Sequence, residues 1–90
     1  MVLELRTTAA FVRDLNRLKK QKMNFDKLAA IVDLLQNQKP LPPRFRPHPL
    51  RGNWAGHWDC HLAPDWLLLY KLTNSALILV RTGSHSELFG

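Results

Sequence analysis

The chain has 90 residues, enough for one compact domain over 1–90 and too few for a second module. Its 13 lysines and arginines outnumber 7 acidic residues, giving a net charge of +6 that turns it toward polyanions: nucleic acid first, acidic proteins and anionic membrane surfaces behind. No stretch approaches the roughly 18 continuous apolar residues of a membrane span, and Val2 to Arg6 is too short and too charged for a signal peptide. The single cysteine, Cys60, excludes an intrachain disulfide. A cytoplasmic protein in a reducing compartment is the expectation.

Val2 to Arg6 alternates apolar and charged residues, which suggests a short first strand, with a frayed helix start as the alternative. Phe11, Leu15 and Leu18 then recur at helical spacing behind Thr7 or Thr8 as N-cap, so a first helix is expected to about Lys22. Its other face carries Arg13, Arg17 and Lys20, a solvated row or a phosphate-tracking surface. A second helix is expected after Asn24, with Leu28, Ile31, Val32 and Leu35 as its apolar stripe. Pro40 stops it, because a residue before proline is pushed out of helical geometry. The two helices are expected to pair antiparallel across one face of a sheet.

Lys39 to Gly52 holds five prolines among Arg44, Arg46, Arg51 and His48. It reads as a stiff, extended basic loop, either presenting His48 to a ligand or simply crossing from helices to sheet. Trp58 to Leu62, Trp66 to Leu72 and Ala76 to Thr82 read as three strands, with turns at Ala63-Pro64-Asp65 and Thr73-Asn74-Ser75. The middle run, apolar except for Lys71, is the expected central strand. The last residues allow one turn of helix, with Ser84 as cap and Phe89 as an apolar plug.

In an antiparallel meander, His61 lies just before the Pro64 turn and Asp65 within it. Counting back from the Asn74 turn sets Arg81 beside Trp66 to Leu68, and His85 follows three residues after the strand. Candidate proton donors, acceptors and a fixed cation thus converge at one end of the sheet. Cutting RNA without a metal needs a base for the 2′-hydroxyl, an acid for the leaving 5′-oxygen and a cation for the phosphorane. His48, His61, Asp65, His85 and Arg81 are the residue types for those tasks, and single-stranded RNA could stack on Trp66 or Phe89.

His57, Asp59 and His61 fall on one strand face, but same-face neighbours lie roughly 6 to 7 Å apart, which spreads them for a metal. No metal and no cofactor is expected. Cys60, on the opposite face from His61, is expected to be a buried thiol rather than a nucleophile. There is no glycine-rich phosphate loop and no Gly-x-Ser-x-Gly elbow.

The string His48-Pro49-Leu50-Arg51-Gly52-Asn53-Trp54, the run from Asp59 through Pro64-Asp65-Trp66 to Leu72, and Arg81-Thr82-Gly83-Ser84-His85 through Phe89-Gly90 together resemble the YafQ branch of the RelE/ParE toxin superfamily. The likeness is close over residues 40 to 90 and one of layout over the N-terminal helices. It implies an α+β, microbial RNase-like fold of order β-α-α-β-β-β, a curled antiparallel sheet with two helices on one face. It also implies a metal-independent endoribonuclease toxin that cuts mRNA in the A site of the 70S ribosome and is neutralised by a cognate acidic antitoxin.

Matched position by position, the resemblance gives active-site roles to His48, His61, Asp65, Arg81 and His85, and a supporting one to the terminal aromatic Phe89. His57 and Cys60 lie outside the motif. On this reading His85 is the acid, Asp65 assisted by His61 or His48 the base, and Arg81 the phosphorane's cation. The rival reading is a ParE-like toxin acting on gyrase, or a basic nucleic-acid-binding module, which would leave the histidines idle.

Overall fold

The computed structural model describes residues 1–90, and its helices begin where side chains offer caps. After strand β1, Glu4–Thr7, the Thr8 hydroxyl accepts the Phe11 N–H at 3.0 Å and opens helix α1, Ala9–Lys20. The same hydroxyl donates to the Val80 carbonyl at 2.7 Å, tying the helix start to the sheet. Helix α2, Asp26–Gln36, has Phe25 at its cap position, and Asn24 serves one step earlier by accepting the Asp26 N–H at 2.9 Å. It ends before Pro40, where Gln38 takes positive φ.

The proline-rich segment is less regular than a strand and more ordered than a plain loop. It forms one 3-10 turn at Pro43–Phe45, a two-residue strand β2 at His48–Pro49, and another 3-10 turn at Gly52–Trp54. β3 (Trp58–Ala63), β4 (Trp66–Leu72) and β5 (Ala76–Gly83) follow as the expected meander, and α3 (His85–Phe89) closes the chain. The five strands lie in the order β1-β5-β4-β3-β2. β2 to β5 are antiparallel, while β1 joins β5 in parallel, so the sheet is mixed.

α1 and α2 cover one face. Phe11, Leu18, Leu28, Ile31 and Leu35 pack there on Leu62, Trp66, Leu68, Tyr70, Leu77 and Leu79. Ile31 and Leu77 lose all solvent contact, each worth about 1.5–3 kcal/mol of transfer free energy. On the opposite face α3, Leu50 and the 52–54 turn give cover, through Leu88, Leu50 and Trp54 against Leu67, Leu69 and Val80. The rest of that face is open.

Two irregularities shape it. A register shift between Leu69 and Tyr70 pairs Arg81 with Leu69, one residue beyond the range that simple counting from the turn gives. The resulting alignment runs His48–Asp59–Leu69–Arg81 straight across four strands. The neighbouring row is His61–Leu67–Gly83, and His85 follows that glycine. No helix is long and apolar enough to cross a membrane.

Candidate active site

On the open face His61 stands between two other histidines. Its ring centroid lies 6.2 Å from that of His48 and 5.9 Å from that of His85. Each flanking histidine has its own aspartate. His48 donates from Nδ1 to the Arg46 carbonyl at 3.0 Å, and its Nε2 lies 2.9 Å from Asp59 Oδ1. His85 starts α3, where its backbone N–H donates to Asp65 Oδ1 at 3.1 Å, and its Nδ1 lies 3.7 Å from the same oxygen. Phe89 packs one helical turn on, 6.0 Å from the His85 ring and 6.2 Å from Trp54.

Asp59, which the sequence offered only as a widely spaced metal donor beside His57 and His61, is a further member of the site. Its side chain is 4% exposed, yet Oδ1 has no well-aligned hydrogen bond, since His48 Nε2 is near it in distance but not in direction. Burial raises its pKa above the usual carboxylate value, and the attraction of His48, His61 and His85 works against that rise. His61 moves the other way. Burial lowers its pKa, Asp59 opposes, and Arg46, His85 and His48 push it lower still. Neutral imidazole is therefore its favoured form at neutral pH.

Arg81 stands in the same cross-strand row as His48 and Asp59, but its guanidinium has a partner of its own. Beyond Leu79, β1 no longer pairs with β5, and Asp14 of α1 fills that edge by accepting the Thr82 N–H at 3.2 Å. The Arg81 guanidinium turns to Asp14, with Nε 2.6 Å from Oδ2 and Nη2 3.0 Å from Oδ1. That hydrogen-bonded pair holds the guanidinium firmly charged. Nη1 makes no hydrogen bond within the chain.

Two expectations are corrected. Trp66 is buried, its indole N–H donating to the Thr82 hydroxyl at 2.9 Å, because its position on β4 points into the helix-side core. It offers no stacking surface, whereas Phe89 lies beside His85 with Trp54 against it. Arg17 is not a free phosphate contact either, being paired with Asp14 at 2.8 Å and with Glu87 at 2.8 Å. Arg13 and Lys20 are exposed on α1, on the far side of the sheet from the histidines. Arg44 and Arg46, in contrast, line a cavity shared with His61, and Arg51 is exposed ahead of the 52–54 turn.

Residues 3–90 match the family described as the bacterial toxin of type II toxin–antitoxin systems, YafQ. The chain belongs to the YafQ toxin family. A relative named mRNA interferase toxin YafQ, from Escherichia coli K12, is 39% identical over 88 residues, spanning 97% of this chain and 96% of that protein. The E. coli DinJ–YafQ toxin–antitoxin complex contains a chain 37% identical to this one, with a TM-score of 0.92 and full coverage of both. A metal-bound toxin from Helicobacter pylori is 40% identical, with a TM-score of 0.91 over 97% of this chain and 99% of that one.

Within this YafQ-family chain a metal would find three donors together. His48, Asp59 and His61 each offer a ligand atom, and these lie within 4.8 Å of one another. The cluster was hidden from spacing arguments because His48 enters from β2. His57, the third member of the expected strand-face trio, sits outside the strand with Nδ1 against the Trp54 and Ala55 carbonyls. Cys60 is fully buried on the helix side, and burial pushes its thiol up to about 12. It is no nucleophile at neutral pH.

Proposed function

We propose that this chain is an endoribonuclease toxin that cuts mRNA on the ribosome by metal-free transesterification and is silenced by an acidic antitoxin. The observation that carries the reading is the row of three histidine rings with about 6 Å between neighbours, the outer two each held by an aspartate. That spacing suits a base and an acid working on opposite sides of one phosphate. The E. coli relative's name, mRNA interferase, and the complex of its kind with DinJ support both the substrate and the antitoxin partner.

His61, neutral and half-buried, takes the 2′-hydroxyl proton. The 2′-oxygen attacks phosphorus, the P–O5′ bond breaks, and His85 gives its proton to the departing 5′-oxygen. The products are a 2′,3′-cyclic phosphate and a 5′-hydroxyl. Asp65, whose Oδ1 already receives the His85 backbone N–H, orients that imidazole instead of acting as the base. Arg81 and Arg46 supply fixed positive charge for the phosphorane, and Phe89 backs the His85 ring.

Primer extension on an mRNA under translation in a cell-free system, with the wild-type chain and with His85→Ala, tests this. Cleavage within codons that depends on translation and disappears in the variant is the expected result. Intact message with a wild-type chain that still arrests growth would overturn it and favour a gyrase-directed or purely binding toxin.

A further inference from the structure

We infer that the cavity beside His61 is a nucleotide subsite in which Lys27 holds a phosphate and Asp26 reads the base, so that α2 sets which codons are cut. The inference deepens the nuclease reading above and rests on it. β2 pairs only with Trp58 and Asp59, which leaves the far half of β3 without a strand on that side. The start of α2 and the 43–45 turn stand around this edge and enclose a cavity of about 580 Å³, within the range of small-molecule sites.

Three cations, Lys27, Arg44 and Arg46, line the cavity, and His61 forms part of its wall. Arg44 lies over the Phe45 ring, 4.7 Å from its centroid, while Lys27 is exposed and in no ion pair. The neighbouring recess on the His85 side has the opposite character. Asp65 and Glu87 line it, and no lysine or arginine does. An RNA strand with its scissile phosphate between His61 and His85 is thus drawn by charge toward the α2 side.

Asp26 is the one acidic group in the cavity wall. A carboxylate among phosphate-binding cations is repelled by the phosphates themselves, but it accepts hydrogen bonds from an exocyclic amine. Adenine N6, cytosine N4 and guanine N2 each offer one, and uracil does not. Ala30, Ala63 and Pro64 give the base ring an apolar wall. Cations therefore position the strand and the carboxylate specifies the base.

The test maps cleavage sites by sequencing 5′ ends in a translating extract, with the wild type, Lys27→Ala and Asp26→Asn, each checked for folding by circular dichroism. Lys27→Ala is expected to slow cleavage about tenfold at all sites alike and to make it less salt-sensitive. Asp26→Asn is expected to slow cleavage about tenfold at sites with adenine, cytosine or guanine at one position next to the cut and to leave uracil sites unchanged, flattening the preference. An Asp26→Asn site profile superimposable on the wild type overturns the inference, whatever Lys27→Ala does. Absence of cleavage by the wild type itself would instead overturn the nuclease reading on which it stands.

Discussion

Arg17 of α1 and Glu87 of α3 form an ion pair, Nε to Oε2 at 2.8 Å, that wraps the end of β5 and joins the helical layer to the helix carrying His85. Gly83 lies beneath it, where an added Cβ would come within 2.8 Å of Arg17 Nη2 and 2.9 Å of Glu87 Oε1. Glu87 also completes a capping box, accepting the Ser84 N–H at 2.8 Å while the Ser84 hydroxyl accepts its own N–H at 3.2 Å. Glu87→Ala is expected to lower stability by about 1 kcal/mol, or about 4–8 °C in Tm. Cleavage is expected to fall further than that loss explains, about tenfold, because His85 loses its fixed direction. Glu87→Gln keeps the capping box and should recover part of the rate. Wild-type cleavage rates in Glu87→Ala would show that α3 holds its position without the clasp.

Asp14 sets the acid limit of the fold. Burial raises its pKa, but hydrogen bonds from Arg81, Arg17 and the Thr82 N–H outweigh that and leave it below the ordinary value. Glu87 is lowered too, first by the Ser84 N–H. A carboxylate depressed in the folded state adds stability above its unfolded value, and that stability disappears as pH falls through the folded one. Melting temperature should therefore hold steady down to about pH 5 and drop steeply below about pH 4. Asp14→Ala leaves Arg81 unpaired and is expected to cost about 3 kcal/mol at pH 7. Thermal melts between pH 2 and 7 check both; equal acid sensitivity in the variant would remove Asp14 from this role.

The meander and the helices were legible because turn chemistry and apolar spacing are local properties of the chain. What escaped was non-local. β1 finds its parallel partner in β5, more than 60 residues on, and no spacing rule announces that. The shift at Leu69/Tyr70 moves Arg81 by one residue, and Asp14, invisible as its partner from sequence, takes the guanidinium. His48 reaches the site through a two-residue pairing inside a proline-rich segment, which is why Asp59 showed as a companion of His57 and His61 on its own strand and not as the neighbour of His48. The histidines themselves were readable by residue type, whereas burial of Trp66 depended on which face its strand turned to the helices.

The pH dependence of cleavage should report His61. Because burial and nearby Arg46 lower its pKa from 6.5, the acidic limb of kcat/KM is expected below pH 6.5 and to vanish in His61→Ala. Arg46→Ala removes a repelling cation and should move that limb to higher pH. If instead Asp65→Asn abolishes the limb and His61→Ala leaves it, the base is Asp65. Single-turnover rates across pH 4 to 8 decide between them.

Chelation and added metal should act in opposite ways. The metal-free mechanism proposed above predicts that a chelator selective for transition metals, used with magnesium kept in excess so that ribosomes stay assembled, leaves cleavage unchanged. Zinc or copper, meeting His48, Asp59 and His61 within 4.8 Å of one another, should inhibit by turning the nitrogen that accepts the proton into a ligand. Asp59→Asn weakens that donor set and should blunt inhibition. Loss of cleavage in that chelator, restored by zinc, would make the cluster a catalytic metal centre.

Asp59 itself should trade stability against activity. A carboxyl group whose pKa is raised by burial is disfavoured when ionised, so its cost to the fold is absent below the unfolded value and grows as pH rises through the folded one. Asp59→Asn is isosteric and uncharged, and it is expected to raise Tm at pH 7 by about 4 °C, with the gain shrinking toward pH 4. Cleavage should fall about tenfold, because His48 Nε2 loses the carboxylate 2.9 Å away that orients it. A melt and a cleavage assay on the same preparation separate the two effects. A variant both less stable and less active would mean that the His48–Asp59 pair is chiefly structural.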